Sequence, residues 1–218
     1  MTLDKNMKKA GAFSYIALFI IWGLLEVSIV PFMEKYFDVY YIEFIKEVIL
    51  KTLIWLIPAT LLCKQYHQFL SIQNKSSFSI KVNWLKVLLV LCLFTAYHVI
   101  STYVQNGIVS IDDAFKITDV LIAISVGISE EMVFRGWLLN VSLQDKKWVT
   151  IFINGLLFLF IHFPVWIRHD MLGAYMMSGS FLQIIVLSVI FSYAFIKSKN
   201  IMVPILLHAY WDFLCFIL

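Results

Sequence analysis

Seven apolar stretches divide this chain, each long enough, or nearly so, to cross a bilayer as a helix. Inside lipid no water satisfies backbone N–H and C=O groups, so only helices and closed barrels are admitted. The stretches are continuous rather than alternating, which selects helices. They run approximately Gly11–Phe32, Val48–Cys63, Trp84–Tyr103, Val120–Val141, Val149–Phe163, Phe181–Ile196 and Ile201–Leu218. A full span takes about 20 residues. The second, fifth and sixth fall short, so we expect them to extend at their ends or to be buried inside the bundle. The expected fold is all-α, a polytopic transmembrane helical bundle of about seven spans, within a range of roughly six to eight.

Composition narrows the class. The 218 residues are 61% hydrophobic and 14% charged, where a soluble domain carries about 25% charge. We expect one integral-membrane domain over residues 1–218, with no sizeable soluble part. Residues 1–115 show only general hydropathy; residues 116–218 carry the polar groups suited to chemistry. The net charge of +3 is small and scattered, which argues against nucleic acid as a partner. The expected partners are the lipid bilayer and a peptide or membrane-protein substrate. Cys63, Cys92 and Cys215 show no CxxC or His/Cys cluster and read as buried small apolar residues. Met1 to Lys9 is a basic head before a long apolar run without a small-residue cleavage site, so it reads as the start of a retained helix.

Lysines mark one side. Lys5, Lys8 and Lys9, then Lys64, Lys75 and Lys81, then Lys146 and Lys147, then Lys197 and Lys199 fall in alternate connections. The other connections hold Lys35, Lys46, Lys116 and Arg168 beside Asp38, Asp112, Asp113 and Asp170. The positive-inside rule places the N-terminus in the cytoplasm and, with seven spans, the C-terminus outside. Gln65–Lys81 and Pro164–Ser180 are the expected extramembrane loops.

Against this background Glu130 and Glu131 stand out, since carboxylates at membrane depth cost at least ~2.5–3.5 kcal/mol each. Glu131 and Arg135 are four residues apart and meet on one helical face. Glu130 points about 100° away, so it reads as the carboxylate left to face a cavity. The fifth stretch adds Asn154 and His162, and the seventh adds His208 and Asp212 at i, i+4. A short connection makes the fourth and fifth stretches a hairpin that sets Glu130 and His162 at similar height, so one shared pocket is geometrically possible. A carboxylate beside an imidazole can activate water, and a second imidazole can stabilise an oxyanion. Two histidines with carboxylates are also common zinc ligands, although HExxH is absent.

Glu130-Glu131-x-x-x-Arg135, Phe158-x-x-x-His162 and His208-x-x-x-Asp212 resemble, in order, the EExxxR, FxxxH and HxxxN/D motifs of the CPBP family. That family groups type II CAAX prenyl endopeptidases with bacteriocin-processing and Abi proteins. The resemblance runs from about Asp119 to the C-terminus. It implies an all-helical, multi-pass intramembrane endopeptidase. The short length and the Lys-, Phe- and Ile-rich composition fit a bacterial source, which makes CAAX tails a poorer expectation than peptide maturation or self-immunity. The resemblance also implies that Glu130 activates water with His162, that His208 and Asp212 support the oxyanion, and that Glu131, Arg135 and Phe158 are structural. Asp212 stands where some relatives have Asn, and an ionised Asp cannot donate to an oxyanion. It must be protonated, orient His208, or bind a metal. Two cofactor states follow: none, with Glu and His activating water directly, or a divalent metal such as zinc held among Glu130, His162, His208 and Asp212.

Two rivals stand beside the peptidase. One is a non-proteolytic immunity or scaffold protein of the same fold. The other is a proton-coupled carrier, disfavoured because no inverted repeat is visible. Asn154 reads as an interhelical hydrogen bond, and Glu26 and His98 as interhelical polar contacts or, alternatively, as lining of a substrate path. Lys51 reads as snorkelling, or pairing with Glu47 four residues before it. Trp137, Trp148, Trp166 and Trp211 read as packing and interfacial aromatics.

Overall fold

The computed structural model describes residues 2–72, 82–143 and 146–218, with side chains from residue 6. Among these, every regular element is helical. The helices are α1 (2–33), α2 (39–65), α3 (Trp84–Asn106), α4 (117–142), α5 (Lys147–Phe160), α6 (Phe163–Arg168), α7 (Leu172–Ser178), α8 (Phe181–Ser198) and α9 (Met202–Ile217). Each expected apolar stretch becomes a helix, giving a polytopic membrane bundle.

Local chemistry sets several ends. Asp38 caps α2 by accepting from Tyr40 N at 2.9 Å, and Asn83 caps α3 by accepting from Lys86 N at 3.3 Å. Gly107 ends α3 at φ 75°, a left-handed conformation that glycine adopts without a Cβ clash. At the start of α4, Asp119 reaches back to Lys116 N at 2.7 Å.

The helices alternate in direction. Gly11 near the start of α1 lies against Val141 at the end of α4, whereas Gly23, further along α1, lies against Pro164 in α6. At that second end, Asp112 N bonds Ile217 O at 3.0 Å, tying the α3–α4 connection to the end of α9.

Four segments are long and apolar enough to cross a membrane: Asn6–Met33, Trp84–Asn106, Lys147–Arg168 and Phe181–Ser198. Helix α9 is apolar but shorter. Helices α2 and α4 are long and carry several charges each. Helix α4 is the innermost: from Ser129 to Val141 every residue is buried except the half-buried Met132. Helices α1, α3 and α8 instead expose apolar side chains such as Phe13, Leu93 and Val186, the surface that lipid requires.

The structure corrects several boundaries. Helix α2 begins at Val39 rather than Val48, so Glu43, Lys46 and Glu47 lie on a helix and not in a connection. Their charges are tolerated because they pair: Lys46 Nζ lies 2.7 Å from Glu43 and 3.3 Å from Glu26 and Glu47. The expected Pro164–Ser180 loop holds most of α6 and all of α7. Of the Gln65–Lys81 loop, residues 73–81, including Lys75 and Lys81, lie outside the described residues. The part before them is pinned where Asn140 exchanges two 2.8 Å bonds with the backbone of Ile72. Cys63 is buried as expected, but Cys92 and Cys215 are exposed, and no disulfide joins the three.

Wide π-helical turns occur at Leu25–Ile29, Ile45–Leu50, Thr52–Leu56 and Met132–Leu139. Each contains or adjoins a buried charge: Glu26, Lys46, Lys51 or Arg135. Such turns re-aim side chains relative to a regular helix and are frequent at functional sites.

Candidate active site

The site is built where α4 meets α9. Gly127 permits the approach: a Cβ there would meet Ala209 N at 3.0 Å, Ala209 Cβ at 3.1 Å and Ile205 O at 3.1 Å. Three residues further along α4, Glu130 and Glu131 face the helix that carries His208 and Asp212.

Glu131 and Arg135 pair as their spacing predicts, with Nη1 2.8 Å from Oε1 and both side chains fully buried. Arg135 is further fixed by α8, its Nη2 donating to Ser188 O at 3.0 Å and Oγ at 2.8 Å. Phe158 lies beneath, its ring 4.6 Å from the guanidinium carbon and 5.8 Å from the His208 ring. Glu131 has a second partner that the spacing does not reveal. His208 Nδ1 lies 2.8 Å from the same Oε1. Because a carboxylate accepts, Nδ1 carries the proton, and Nε2 is turned toward Glu130 Oε2 at 3.9 Å and Asp212 Oδ2 at 3.5 Å.

Glu130 is not the unpaired carboxylate that α4 alone suggests. Lys51 of α2 donates to its Oε1 at 2.7 Å. Helical geometry within α4 cannot disclose this contact, because the cation arrives from a helix 79 residues away in sequence. The expected Lys51–Glu47 pair also forms, at 2.6 Å. Lys51 is buried rather than snorkelling. The only sequence signal for its second contact was its position inside an apolar stretch, where an ammonium needs compensation.

His162 falls at the break between α5 and α6, just before Pro164. Its N–H turns to Leu159 O at 3.1 Å, and its own Nδ1 takes the Phe158 carbonyl at 2.6 Å. A carbonyl only accepts, so Nδ1 holds the proton and the neutral ring keeps its lone pair on Nε2.

These groups share a cavity of about 720 Å³ lined by Lys51, Glu130, His162 and Asp212 together with Glu47. It extends to Asp38 and Tyr40 at the start of α2 and to Ala114 in the α3–α4 connection, the bundle end opposite the N-terminus. Of the four residues expected around one pocket, Glu130, His162 and Asp212 line this cavity, while His208 lies beside it, its Nε2 3.9 Å from Glu130 Oε2.

The other polar residues are structural contacts. Asn154 donates to Phe134 O at 2.9 Å, joining α5 to α4. Glu26 accepts from Arg168 Nε at 2.9 Å. His98 packs its ring 4.4 Å from that of Trp211. Trp137 is buried and donates to Ser14 at 2.9 Å, whereas Trp148 is exposed.

The donor set does not fit a metal. Among the described residues no group of three His, Cys, Asp or Glu side chains is placed to hold an ion. One oxygen of Glu130 already binds an ammonium.

A family model described as type II CAAX prenyl endopeptidase Rce1-like matches residues 113–214. No curated protein and no solved structure matches the chain. The matched stretch contains all three motifs and excludes α1, α2 and α3.

Proposed function

Since residues 113–214 belong to the Rce1-like type II CAAX prenyl endopeptidases, we propose that this chain hydrolyses a peptide bond through a water activated by Glu130 and His162. The observation that carries the reading is the convergence of Glu130, His162 and Asp212 on one cavity, with His208 Nε2 3.9 Å from Glu130 Oε2. In this reading the substrate carbonyl enters the cavity and the water loses its proton to Glu130 or to His162 Nε2. The same group returns the proton to the leaving amine. In its cationic form His208 donates from both nitrogens: Nδ1 holds Glu131, and Nε2, with Asp212 at 3.5 Å and Glu130 at 3.9 Å, can meet the oxyanion. Asp212, with its Oδ2 3.5 Å from Nε2, orients that ring and is not itself a donor. No step calls on a metal.

The substrate is a membrane-associated peptide or protein segment, with peptide maturation or self-immunity as the setting. The lysine-rich helix ends lie at the bundle end opposite the cavity mouth, so the positive-inside rule turns the mouth away from the cytoplasm. Residues 1–218 act as one catalytic unit in this reading. The test is to compare peptides from membranes of cells carrying the wild-type chain, Glu130→Gln, or none. A precursor should accumulate equally in the last two. Complete processing by Glu130→Gln would overturn the assignment.

A further inference from the structure

We infer that Lys51 is a positioning residue for Glu130, contributed by α2 from outside the matched region 113–214. Lys51 is itself fixed by contacts other than Glu130. Its Nζ is held by Glu47 Oε2 at 2.6 Å and lies over the rings of Trp55 at 4.9 Å and Trp22 at 5.4 Å. Glu47 is braced in turn by Lys46 at 3.3 Å, and Lys46 by Glu26 at 3.3 Å. Arg168 closes the chain on Glu26 at 2.9 Å. The ammonium is thus placed by α1, α2 and α6, and Glu130 comes to it.

The consequence falls on the carboxylate. Glu130 has three side-chain torsions, and either oxygen can turn toward His208. With Oε1 anchored on Lys51 at 2.7 Å, Oε2 is left without a hydrogen-bond partner among the described residues. Lys51 and Glu130 line the same cavity, so the anchor fixes which oxygen meets water there. Removing the ammonium frees the carboxylate to rotate and leaves a buried charge uncompensated. Placement errors of about 1 Å at a reacting group can cost ~10²-fold in rate.

Two measurements on the full chain in reconstituted bilayers test this. The first needs no substrate: thermal midpoints of wild type, Lys51→Met, Glu130→Gln and the double variant. Lys51→Met should lower the midpoint, and adding Glu130→Gln should recover at least about half of that loss, because no stranded charge remains. Purely additive losses would overturn the proposal. The second rests on the endopeptidase reading and uses an internally quenched farnesylated CAAX-type peptide as the probe. Lys51→Met should lower kcat by about tenfold or more with KM little changed, and Lys51→Arg, which keeps the cation, should regain part of it. Wild-type kcat in Lys51→Met, or no advantage of Arg over Met, would overturn it. If the wild-type chain leaves the probe intact, the cleavage of such substrates fails as a reading, while the midpoint cycle still decides the Lys51–Glu130 coupling.

Discussion

His208 Nδ1 lies 2.8 Å from Glu131 Oε1, although 77 residues separate them in sequence. One carboxylate oxygen therefore joins the EExxxR and HxxxD motifs, holding Arg135 on one side and the imidazole on the other. Glu131 becomes the hinge between charge compensation in α4 and ring orientation in α9.

Arg135→Met should be strongly destabilising. It strands the buried Glu131 carboxylate and removes two bonds to Ser188, and breaking a buried pair costs about 3–5 kcal/mol. Unfolding of the purified protein in mixed micelles measures the loss. Glu131→Gln added to Arg135→Met should recover part of it.

Gly127→Ala should lower stability by about 1–3 kcal/mol, the usual cost of overpacking. The new Cβ meets the backbone of α9 at 3.0–3.1 Å, and neither backbone has a flexible end to give way. Gly127→Val should cost more and also reduce cleavage, since α9 carries His208. Thermal midpoints with parallel peptide cleavage check both.

His162→Asn should reduce kcat by about 10²–10⁴-fold, the range for loss of a general acid–base group. The thermal midpoint should change little, because the ring's only hydrogen bond among the described residues is to the local Phe158 carbonyl. An unchanged kcat would remove His162 from the mechanism.

Asn154→Ala separates glue from chemistry. Interhelical side-chain bonds in membranes are worth about 0.6–1.7 kcal/mol. The variant should lose stability in that range while keeping wild-type kcat, measured on the same preparation.

Orientation is tested by cysteine accessibility. In a background with Cys63, Cys92 and Cys215 replaced by serine, Ser110→Cys at the cavity end should react with an impermeant maleimide on intact cells. Gln65→Cys at the opposite end should react only after the membrane is opened. The reverse pattern would turn the cavity mouth to the cytoplasm.

Much of this was legible in the chain. Apolar runs located every long helix, because a backbone in lipid must satisfy itself locally and hydropathy records that demand directly. The Glu131–Arg135 pair was legible because i, i+4 is a short-range rule. Helix ends were read less well wherever charges pair. Val39 to Glu47 looks too polar to lie in the bundle until Glu26 and Arg168 are brought alongside Lys46 and Glu43. The unexpected exposure of Cys92 and Cys215 has a related cause, since hydropathy does not distinguish a lipid-facing position from a buried one.

What the sequence by itself determined is a helical membrane bundle whose fourth, fifth and last long helices carry the polar residues. Only the tertiary structure decided how those residues divide their partners. Glu130, unpaired on its own helix, belongs to Lys51, and Glu131, already paired on its helix, also holds His208. The reason is physical. Spacing along one helix fixes which side chains share a face, whereas partners on another helix depend on register and approach. Here that approach is set by Gly127 and by the braced ammonium of α2.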